Sequence, residues 1–439
     1  MTKESAVMRE TTRERAHRLI PAGCHTFSKG DDQFPESAPS FIVRGKRGRV
    51  WDADGREFVD WGMGLRSVIL GHCDDTVLAA VREQLELGSN FSRPSMVEAD
   101  LAELLVQTIP CAEMCKFAKN GSDVTTAAVK LARAYTGRDL VVRCQEHPFF
   151  SVDDWFIGDT PCNAGVPLAM RELTKRFSFN DLHSLTSVFD EYPGQIACVI
   201  LEPATAVEPE VNFLRDVLQL CRSHGAVLVF DEIITGFRWH RSGAQAHYGV
   251  TPDLATFGKA LGNGFSCSAL VGKREIMELG GLHHTKPRVF LLSTTHGGET
   301  HALAAAIATI REIQNKPVIE HVWKIGGQLQ DGFNRLAAEL GISEWVKAAG
   351  VACSPCLSFR DRTGHDSPSI RTLYLQETIR CGVLIPYVAP SFAHGTSELD
   401  QTLEASRKAL KLVARALEAG TTNGLLEGSP TKPVFRRFN

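Results

Sequence analysis

The chain has 439 residues, of which 43% are hydrophobic and 23% are charged, a composition typical of a soluble globular protein. Its formal net charge of −3 provides no basic field for nucleic acid or an anionic membrane surface. No apolar stretch approaches the roughly 20 residues that span a bilayer, and residues 1–20 lack the apolar centre of a signal peptide. We therefore expect a cytoplasmic protein that binds neither nucleic acid nor membranes.

The first quarter of the chain predicts helices around a hairpin. Residues 3–20 have the pattern of an amphipathic helix. Residues 49–61 predict two short strands joined by an Asp-Gly turn. Helices are expected over residues 75–87 and 96–108.

From residue 115 to 310, short apolar runs alternate with helical periods. The runs lack a polar residue at every second position, as is typical of strands buried on both faces. We therefore predict a mostly parallel sheet covered by helices. The predicted strands are residues 140–142, 196–201, 226–230, 267–271 and 289–292.

The last quarter predicts a smaller α+β domain, with helices at 321–340 and 398–418, short strands near 354–359 and a loop after Gly420. The predicted organisation is an N-terminal segment that joins the small domain, a large α/β domain and a C-terminal small domain. Their bounds are 1–75, 76–320 and 321–439.

The twelve cysteines are scattered along the chain, several within apolar runs, which is typical of reduced core thiols in a reducing compartment. Cys353 and Cys356 form a lone C-x-x-C pair. A zinc site needs a second such pair or matched histidines, and neither accompanies them, so we predict no metal.

The sharpest motif is Asp231-Glu-Ile-Ile-Thr-Gly-Phe-Arg238, which follows the apolar run 226–230. It places two adjacent carboxylates at the carboxyl end of a strand, where α/β sheets bind ligands. Taken alone, such carboxylates also serve as helix caps or in structural ion pairs.

A second motif, Thr256-Phe-Gly-Lys-Ala-Leu-Gly-Asn-Gly264, places Lys259 in a glycine-rich turn. Glycines let backbone approach a bulky ligand closely. A lysine among apolar residues has a lowered pKa, which a Schiff-base amine requires. An isolated lysine is otherwise a surface residue.

The third motif begins at Asn120-Gly-Ser-Asp, with Gly121 and Ser122 opening a predicted helix. The helix stripe consists of Val124, Ala127, Ala128, Leu131, Ala132 and Tyr135. Free N–H groups and a hydroxyl at a helix N-terminus suit a phosphate, although a plain N-cap has the same pattern. Together the three motifs supply what pyridoxal 5'-phosphate (PLP) needs: a phosphate site, an amine for the aldehyde and a carboxylate for the ring nitrogen.

With these motifs the sequence resembles the class III (subgroup II) aminotransferases, and within them the glutamate-1-semialdehyde 2,1-aminomutase branch. The likeness covers nearly the whole chain, including the Trp51-Asp-Ala-Asp-Gly hairpin and Leu70-Gly-His72. It implies PLP fold type I, with a large domain around a mostly parallel sheet and a smaller α+β domain.

The resemblance also implies residue roles. Asp231 would contact the pyridine nitrogen, Lys259 would be the Schiff-base lysine, and Gly121 and Ser122 would bind the phosphate. Glu202 lies in a Leu-Glu-Pro motif that shapes the family's active site, and it could equally be a structural carboxylate. A threonine of the second subunit completes the family's phosphate site.

That threonine matches Thr295 here, so the resemblance implies a homodimer with shared active sites. Other segments depart from the aminomutases. The family commonly has a Tyr-His pair whose ring stacks on PLP, whereas residues 144–151 leave His147 and Phe149 as alternatives. The segments 24–30, 62–67 and 296–300 also differ. They suggest Ser28, Arg66 and His296 as substrate contacts.

The expected reaction is amino transfer between an amino donor and an aldehyde or ketone, such as a sugar or another hydroxylated carbonyl compound. The nearest alternative is glutamate-1-semialdehyde 2,1-aminomutase itself, which forms 5-aminolevulinate without an external donor. A PLP racemase or decarboxylase, or a non-catalytic binding protein of the same fold, are further alternatives.

Overall fold

The computed structural model describes residues 10–438. The strands are β1 (Ile42–Lys46), β2 (Arg49–Asp52), β3 (Glu57–Asp60), β4 (Met114–Ala118), β5 (Leu140–Cys144), β6 (Thr174–Phe177), β7 (Ile196–Leu201), β8 (Val227–Glu232), β9 (Leu254–Phe257), β10 (Ser268–Gly272), β11 (Val346–Ala349), β12 (Cys356–Phe359) and β13 (Val383–Leu384). The helices are α1 (Thr12–Leu19), α2 (Met63–Arg66), α3 (Asp75–Leu87), α4 (Met96–Thr108), α5 (Gly121–Thr136), α6 (Asp154–Ile157), α7 (Leu168–Arg171), α8 (Leu182–Glu191), α9 (Phe213–Ser223), α10 (Ala244–Tyr248), α11 (Arg274–Met277), α12 (Thr300–Asn315), α13 (Val318–Glu339), α14 (Pro368–Arg380) and α15 (Thr396–Ala419).

A seven-stranded sheet forms the centre of the molecule, with the strand order β4-β10-β9-β8-β7-β5-β6. The strands β9, β8, β7, β5 and β6 pair in parallel, and β10 runs antiparallel to both of its neighbours. The predicted mostly parallel sheet is confirmed. Because β4 and β9 both oppose β10, the carboxyl end of β4 lies at the same edge as those of the parallel strands.

Both faces of this sheet are buried under apolar clusters. Successive side chains of a strand point to opposite sides, so each strand contributes to both clusters. Leu228 and Phe230 belong to one apolar cluster, whereas Val227 and Val229 belong to another on the opposite face. The strands therefore read as continuous apolar runs, which is the pattern from which the sheet was predicted.

Most helices and strands predicted between residues 75 and 310 are present, and one predicted strand is wrong. α3 and α4 have the predicted bounds, and four of the five predicted strands are confirmed with small shifts. Residues 289–292 are not a strand. Val289 and Leu291 are buried and Phe290 is exposed, because the segment lies on the surface of the core and pairs with no strand. β4, β6 and β9 were not predicted from the sequence.

A second sheet, with the order β1-β2-β3-β13, joins the two ends of the chain. The β2–β3 hairpin forms as predicted, and β3 pairs in parallel with β13. Trp61 is fully buried and donates from Nε1 to Thr402 Oγ1 of α15 at 2.7 Å. The N-terminal segment thus packs with the C-terminal helices, as expected, while the domain bounds at 75 and 320 stay predictions.

Of the helix predicted over residues 3–20, the part from Thr12 to Leu19 is present as α1, and its first turn is capped by Thr11 and Glu14. Residues 3–9 lie outside the described part of the chain. None of the side chains of α1 is buried, so an apolar face packed on the core is not found there.

The last residues form an irregular tail that returns to the N-terminal segment. The Lys432 N–H donates to Asp32 O at 2.9 Å, and Gln33 Nε2 donates to Lys432 O at 2.9 Å. Further along, the Phe435 ring packs against Phe156 and against Phe149, with centroids 6.0 and 6.4 Å apart. The predicted loop after Gly420 is confirmed, and it bridges two separate parts of the molecule.

Candidate active site

Three neighbouring strands end in charged side chains at one edge of the central sheet. Glu202 directly follows β7, Asp231 is the penultimate residue of β8, and Lys259 lies two residues beyond β9. Because β7, β8 and β9 are adjacent and parallel, their carboxyl ends bring these groups together. Each of the three side chains is close enough to the others to change their pKa values.

Asp231 is buried and held by two hydrogen bonds. Its Oδ1 accepts from the backbone N–H of Ile233 and from Thr256 Oγ1, both at 3.0 Å. Both bonds from described residues end on Oδ1, which leaves Oδ2 available to another partner. Burial raises the pKa of Asp231, and the Ile233 N–H and the Lys259 charge oppose that shift. The site is therefore suited to a buried cation.

Lys259 opens a short 3-10 turn and has a φ of 43°, in the left-handed region that lysine rarely adopts. Such strained backbone clusters at functional sites. Its side chain is half-buried, and burial lowers the pKa of the amine below its usual range. A lysine of this kind is readily deprotonated, as a nucleophilic amine must be.

Glu202 is buried, and its backbone is held by His147. The Glu202 N–H donates to His147 Nδ1 at 2.9 Å, so the imidazole carries its proton on Nε2, which has no partner among the described residues. Burial lowers the pKa of His147 to about 3, and the ring stays neutral. Burial also raises the pKa of Glu202, and the nearby Asp231 adds to that shift.

The amino end of α5 faces the same edge of the sheet. The N–H groups of Gly121 and Ser122 donate to no described residue. The Ser122 hydroxyl accepts from the Val152 N–H at 3.1 Å. The Asn120 N–H is satisfied by the Asp123 carboxylate at 2.9 Å, so the free donors are confined to the next two residues. These donors can bind an anion.

One apolar side chain links the three motifs. A Cβ on Gly121 would meet the Ile233 side chain at 3.2 Å, and a Cβ on Gly258 would meet it at 3.0 Å. Ile233 follows Asp231 by two residues, so it lies between the α5 terminus and the lysine turn. Both glycines are therefore needed for this close packing.

The predicted stripe of α5 is confirmed except at its end. Val124, Ala127, Ala128, Leu131 and Ala132 are buried, whereas Tyr135 is 36% exposed because it lies in the last turn, beyond the sheet.

Arg66 is brought to this cluster by a loop that the sequence singled out. The guanidinium lies over the Tyr387 ring, 4.6 Å from its centroid. Its charge affects the pKa of both Glu202 and Lys259. The predicted substrate contacts were Ser28, Arg66 and His296. Among them, Arg66 is the residue whose charge acts on the site residues.

Several supporting residues were missed from the sequence. Asn263 accepts from the Ile69 and Leu70 N–H groups at 2.9 Å each, which ties the lysine turn to the segment after Arg66. Arg238 is fully buried and donates to Arg66 O at 3.2 Å and to Pro390 O at 2.7 Å. Burial lowers the pKa of Arg238 to about 10. Asn263 and Arg238 both lie within motifs that the sequence analysis quoted. The available signals were a polar residue between two glycines for Asn263 and a charged residue after an aromatic one for Arg238.

The remaining candidates lie apart from these contacts. Phe149 is 43% exposed and packs on Phe156 and Phe435. Thr295 and His296 lie in an exposed loop, where His296 pairs with Glu299 at 2.9 Å. Ser28 lies in a short turn of the N-terminal segment and makes no hydrogen bond with a described residue of the site.

Among residues 10–438 there is no cluster of three or more histidine, cysteine, aspartate or glutamate side chains arranged to hold a metal ion. Within the same residues all twelve cysteines are free thiols.

A long planar cofactor with a phosphate at one end and a basic ring nitrogen fits these residues. The free N–H groups of Gly121 and Ser122 suit its phosphate, Asp231 Oδ2 its nitrogen and the Lys259 amine its aldehyde. This sheet and this set of groups define a PLP enzyme of fold type I. The sequence profile described as "Aminotransferase class-III" matches residues 32–410, and the chain belongs to that family.

Relatives of known name agree with this assignment. The chain is 30% identical over 423 residues to the glutamate-1-semialdehyde 2,1-aminomutase of Desulfitobacterium hafniense (strain DSM 10664 / DCB-2), covering 90% of this chain and 96% of the relative. It is 32% identical over 401 residues to the aminomutase of Clostridium tetani (strain Massachusetts / E88), covering 84% and 92%.

Solved structures give the same picture. The FumI protein of Sphingopyxis sp. MTA144, in its PLP internal aldimine form, superposes with a TM-score of 0.86 at 29% identity, covering 96% of this chain and 98% of that one. An omega-transaminase of Sphaerobacter thermophilus superposes with a TM-score of 0.83 at 25% identity, covering 92% and 97%. The enzyme is thus PLP-dependent, with transaminases and aminomutases among its relatives, and it acts on small molecules.

No helix within residues 10–438 is long and apolar enough to cross a membrane.

Proposed function

We propose that this enzyme is a transaminase that moves an amino group between an amino donor and a hydroxylated aldehyde or ketone, a class that includes sugar derivatives. The observation that carries the proposal is the position of the 62–67 loop. This loop differs from the aminomutases, yet its Arg66 is close enough to Glu202 and Lys259 for their charges to affect one another's pKa values. The cofactor-binding groups are retained while a bordering segment has changed, which favours the same chemistry on another substrate.

Each residue has a defined task in this proposal. Gly121 and Ser122 bind the cofactor phosphate, and Asp231 holds a proton on the ring nitrogen. When bound, PLP provides an electron sink for the bond broken at the substrate carbon. Lys259 would hold the cofactor through its amine and would carry the proton to and from that carbon as general base and acid. Its lowered pKa supports this task, because the amine must release a proton near neutral pH.

For the ring-stacking residue we propose Phe149 over His147. His147 is 1% exposed and its Nδ1 is occupied by the Glu202 N–H, so it has little free face. Phe149 keeps an exposed face, and the segment that carries it is bonded to Ser122 through Val152. We propose that His147 instead fixes the position of Glu202, which lines the pocket.

The aminomutase reaction is a second candidate, because the relatives of that name are 30–32% identical over most of the chain. One incubation separates the two. We expect pure enzyme given glutamate-1-semialdehyde and no other amine to form no 5-aminolevulinate. We expect the bound aldehyde to convert to the amine form when a suitable donor is added, as followed by cofactor absorbance.

Efficient formation of 5-aminolevulinate without a donor would overturn the transaminase proposal. A screen of amines and amino acids, each tested for loss of the aldehyde absorbance, would identify the donor. A matching screen of hydroxylated and plain carbonyl compounds, each tested for recovery of the aldehyde absorbance, would identify the acceptor.

We further propose a homodimer in which Thr295 of the partner subunit completes the phosphate site. Exposure of Thr295 within a single chain supports this, since a residue of that role must reach another subunit. The prediction is that Lys259→Ala and Thr295→Asp enzymes, each impaired alone, regain activity after subunit exchange. A mixed dimer carries one intact site, so random mixing restores about a quarter of the sites.

No recovery after verified exchange, or an active monomer in sedimentation, would contradict the shared site. A mixture of Lys259→Ala with Asp231→Asn is the matched control, because these residues act within one subunit. In that mixture each site of the mixed dimer still lacks one of the two groups. We also propose a cytoplasmic location, which the twelve free thiols support.

A further inference from the structure

We infer that Arg66 binds a carboxylate group of the substrate, beside the amine of Lys259. The inference rests on the proposed transaminase function and names the chemical group that its substrate presents at this site. It assigns Arg66 a specificity role that the cofactor-binding residues do not fill.

The guanidinium of Arg66 has no acceptor among residues 10–438. Its five N–H donors make no hydrogen bond or ion pair with any residue of the described chain, and Nε is buried without a partner. Arg66 as a whole is half-buried, and a buried N–H group such as its Nε is almost always hydrogen-bonded in proteins. An acceptor from outside the chain is therefore expected at this position.

The structure holds this unpaired group in place. Arg66 has a φ of 68°, and Met63 and Leu65 before it also have positive φ values of 41° and 62°. Arg238 donates to the Arg66 carbonyl oxygen, and Asn263 binds the two N–H groups at Ile69 and Leu70. Strained backbone fixed by buried hydrogen bonds is a feature of functional sites.

The Tyr387 ring completes the fixation from one face. An arginine stacked on a ring keeps the edge of its planar fork free for two parallel hydrogen bonds. A carboxylate matches this fork in shape and charge. The arrangement therefore favours a flat, bidentate anion over a neutral hydroxyl.

The surrounding charges also favour an anion. The charges of Arg66 and Arg238 both lower the pKa of Lys259, and that of Arg66 also lowers the pKa of Arg238, so three cationic side chains lie near one another. Two acidic side chains also lie nearby. Asp231 accepts hydrogen bonds from Ile233 and Thr256, and burial raises the pKa of Glu202 to about 8, which favours its neutral form. The N–H groups proposed to bind the cofactor phosphate lie on α5, a different element, so the acceptor expected at Arg66 is a separate anion.

The test is an equilibrium titration of the PLP-loaded enzyme with ligands that cannot react. Monocarboxylates from acetate to pentanoate are compared with the neutral amides of the same length, and binding is followed by calorimetry and cofactor absorbance. In Arg66→Met we expect roughly ten- to a hundredfold weaker carboxylate binding, the loss typical of a hydrogen bond to a charged group. Amide binding should not change.

Two variants serve as controls. Arg66→Lys keeps the charge without the fork and should lose part of the affinity. Arg44→Met removes an arginine that also stacks on a ring, Trp51 at 4.5 Å, but on the exposed strand β1, and should bind carboxylates normally. PLP content and thermal unfolding of each variant identify a folding defect.

Equal carboxylate binding by wild type and Arg66→Met would overturn the inference, as would wild type that prefers no carboxylate over its amide. If carboxylate affinity fell but no donor or acceptor changed the cofactor form in wild type, the transaminase proposal would fail and the anion site would stand. A variant that lost donor turnover but kept carboxylate binding would assign Arg66 to another task.

Discussion

Replacing Asp231 by asparagine should leave PLP bound and remove nearly all turnover. The amide cannot supply the negative charge that keeps the ring nitrogen protonated, so the electron sink weakens. The phosphate anchor proposed at Gly121 and Ser122 is untouched. Loss of one preorganised electrostatic contact typically costs roughly a hundred- to a thousandfold in kcat. Turnover numbers and cofactor content of the purified variant measure the effect.

Thr256→Val is the matched comparison, because it removes one hydrogen bond to Asp231 Oδ1 and keeps the carboxylate. We expect a smaller loss, since the Ile233 N–H still holds the same oxygen. Wild-type turnover in the asparagine variant would remove Asp231 from its role. Loss of PLP from that variant would show that the carboxylate anchors the cofactor rather than tuning it.

The second large effect is expected at Lys259. In Lys259→Ala the cofactor has no covalent attachment, and the group that moves the proton at the substrate carbon is missing. The general acid–base role alone accounts for roughly 10²–10⁴-fold in rate. Borohydride should fix PLP to the wild-type peptide that contains Lys259 and should fix none to the variant, as read by mass spectrometry of the digested protein.

Lys130→Ala provides the control, because Lys130 is an exposed residue on α5. It should behave as wild type in labelling and turnover. Added small primary amines should restore part of the activity of Lys259→Ala, since they replace the missing base without the attachment. Finding the borohydride label on another lysine would refute the assignment.

The sequence predicted the sheet well where its strands are apolar throughout, and less well elsewhere. Residues 196–201 form β7 as predicted because all six side chains are buried. β9, with only four residues, carries too short a pattern to be distinguished from the loop around it. Residues 289–292 were wrongly predicted as a strand. They are apolar because the segment packs on the core, with Val289 and Leu291 buried, and they pair with no strand.

The residues of the candidate site also divide into those that the sequence predicts and those that it does not. Asp231, Lys259 and the start of α5 could be named because their residue types and glycine neighbours are local in sequence. The roles of Thr256 and Asn263 depend on which strands become neighbours, which no local pattern contains. The choice between His147 and Phe149 required burial and the Glu202 N–H bond, both products of the folded chain.

The return of the C-terminal tail places residues 432–435 against two distant parts of the chain. The Lys432 N–H donates to Asp32 O, and Phe435 packs on Phe149, the aromatic side chain proposed to stack on the cofactor. Removal of Phe435 would therefore free one side of Phe149, and a change far along the chain would act on the proposed cofactor site.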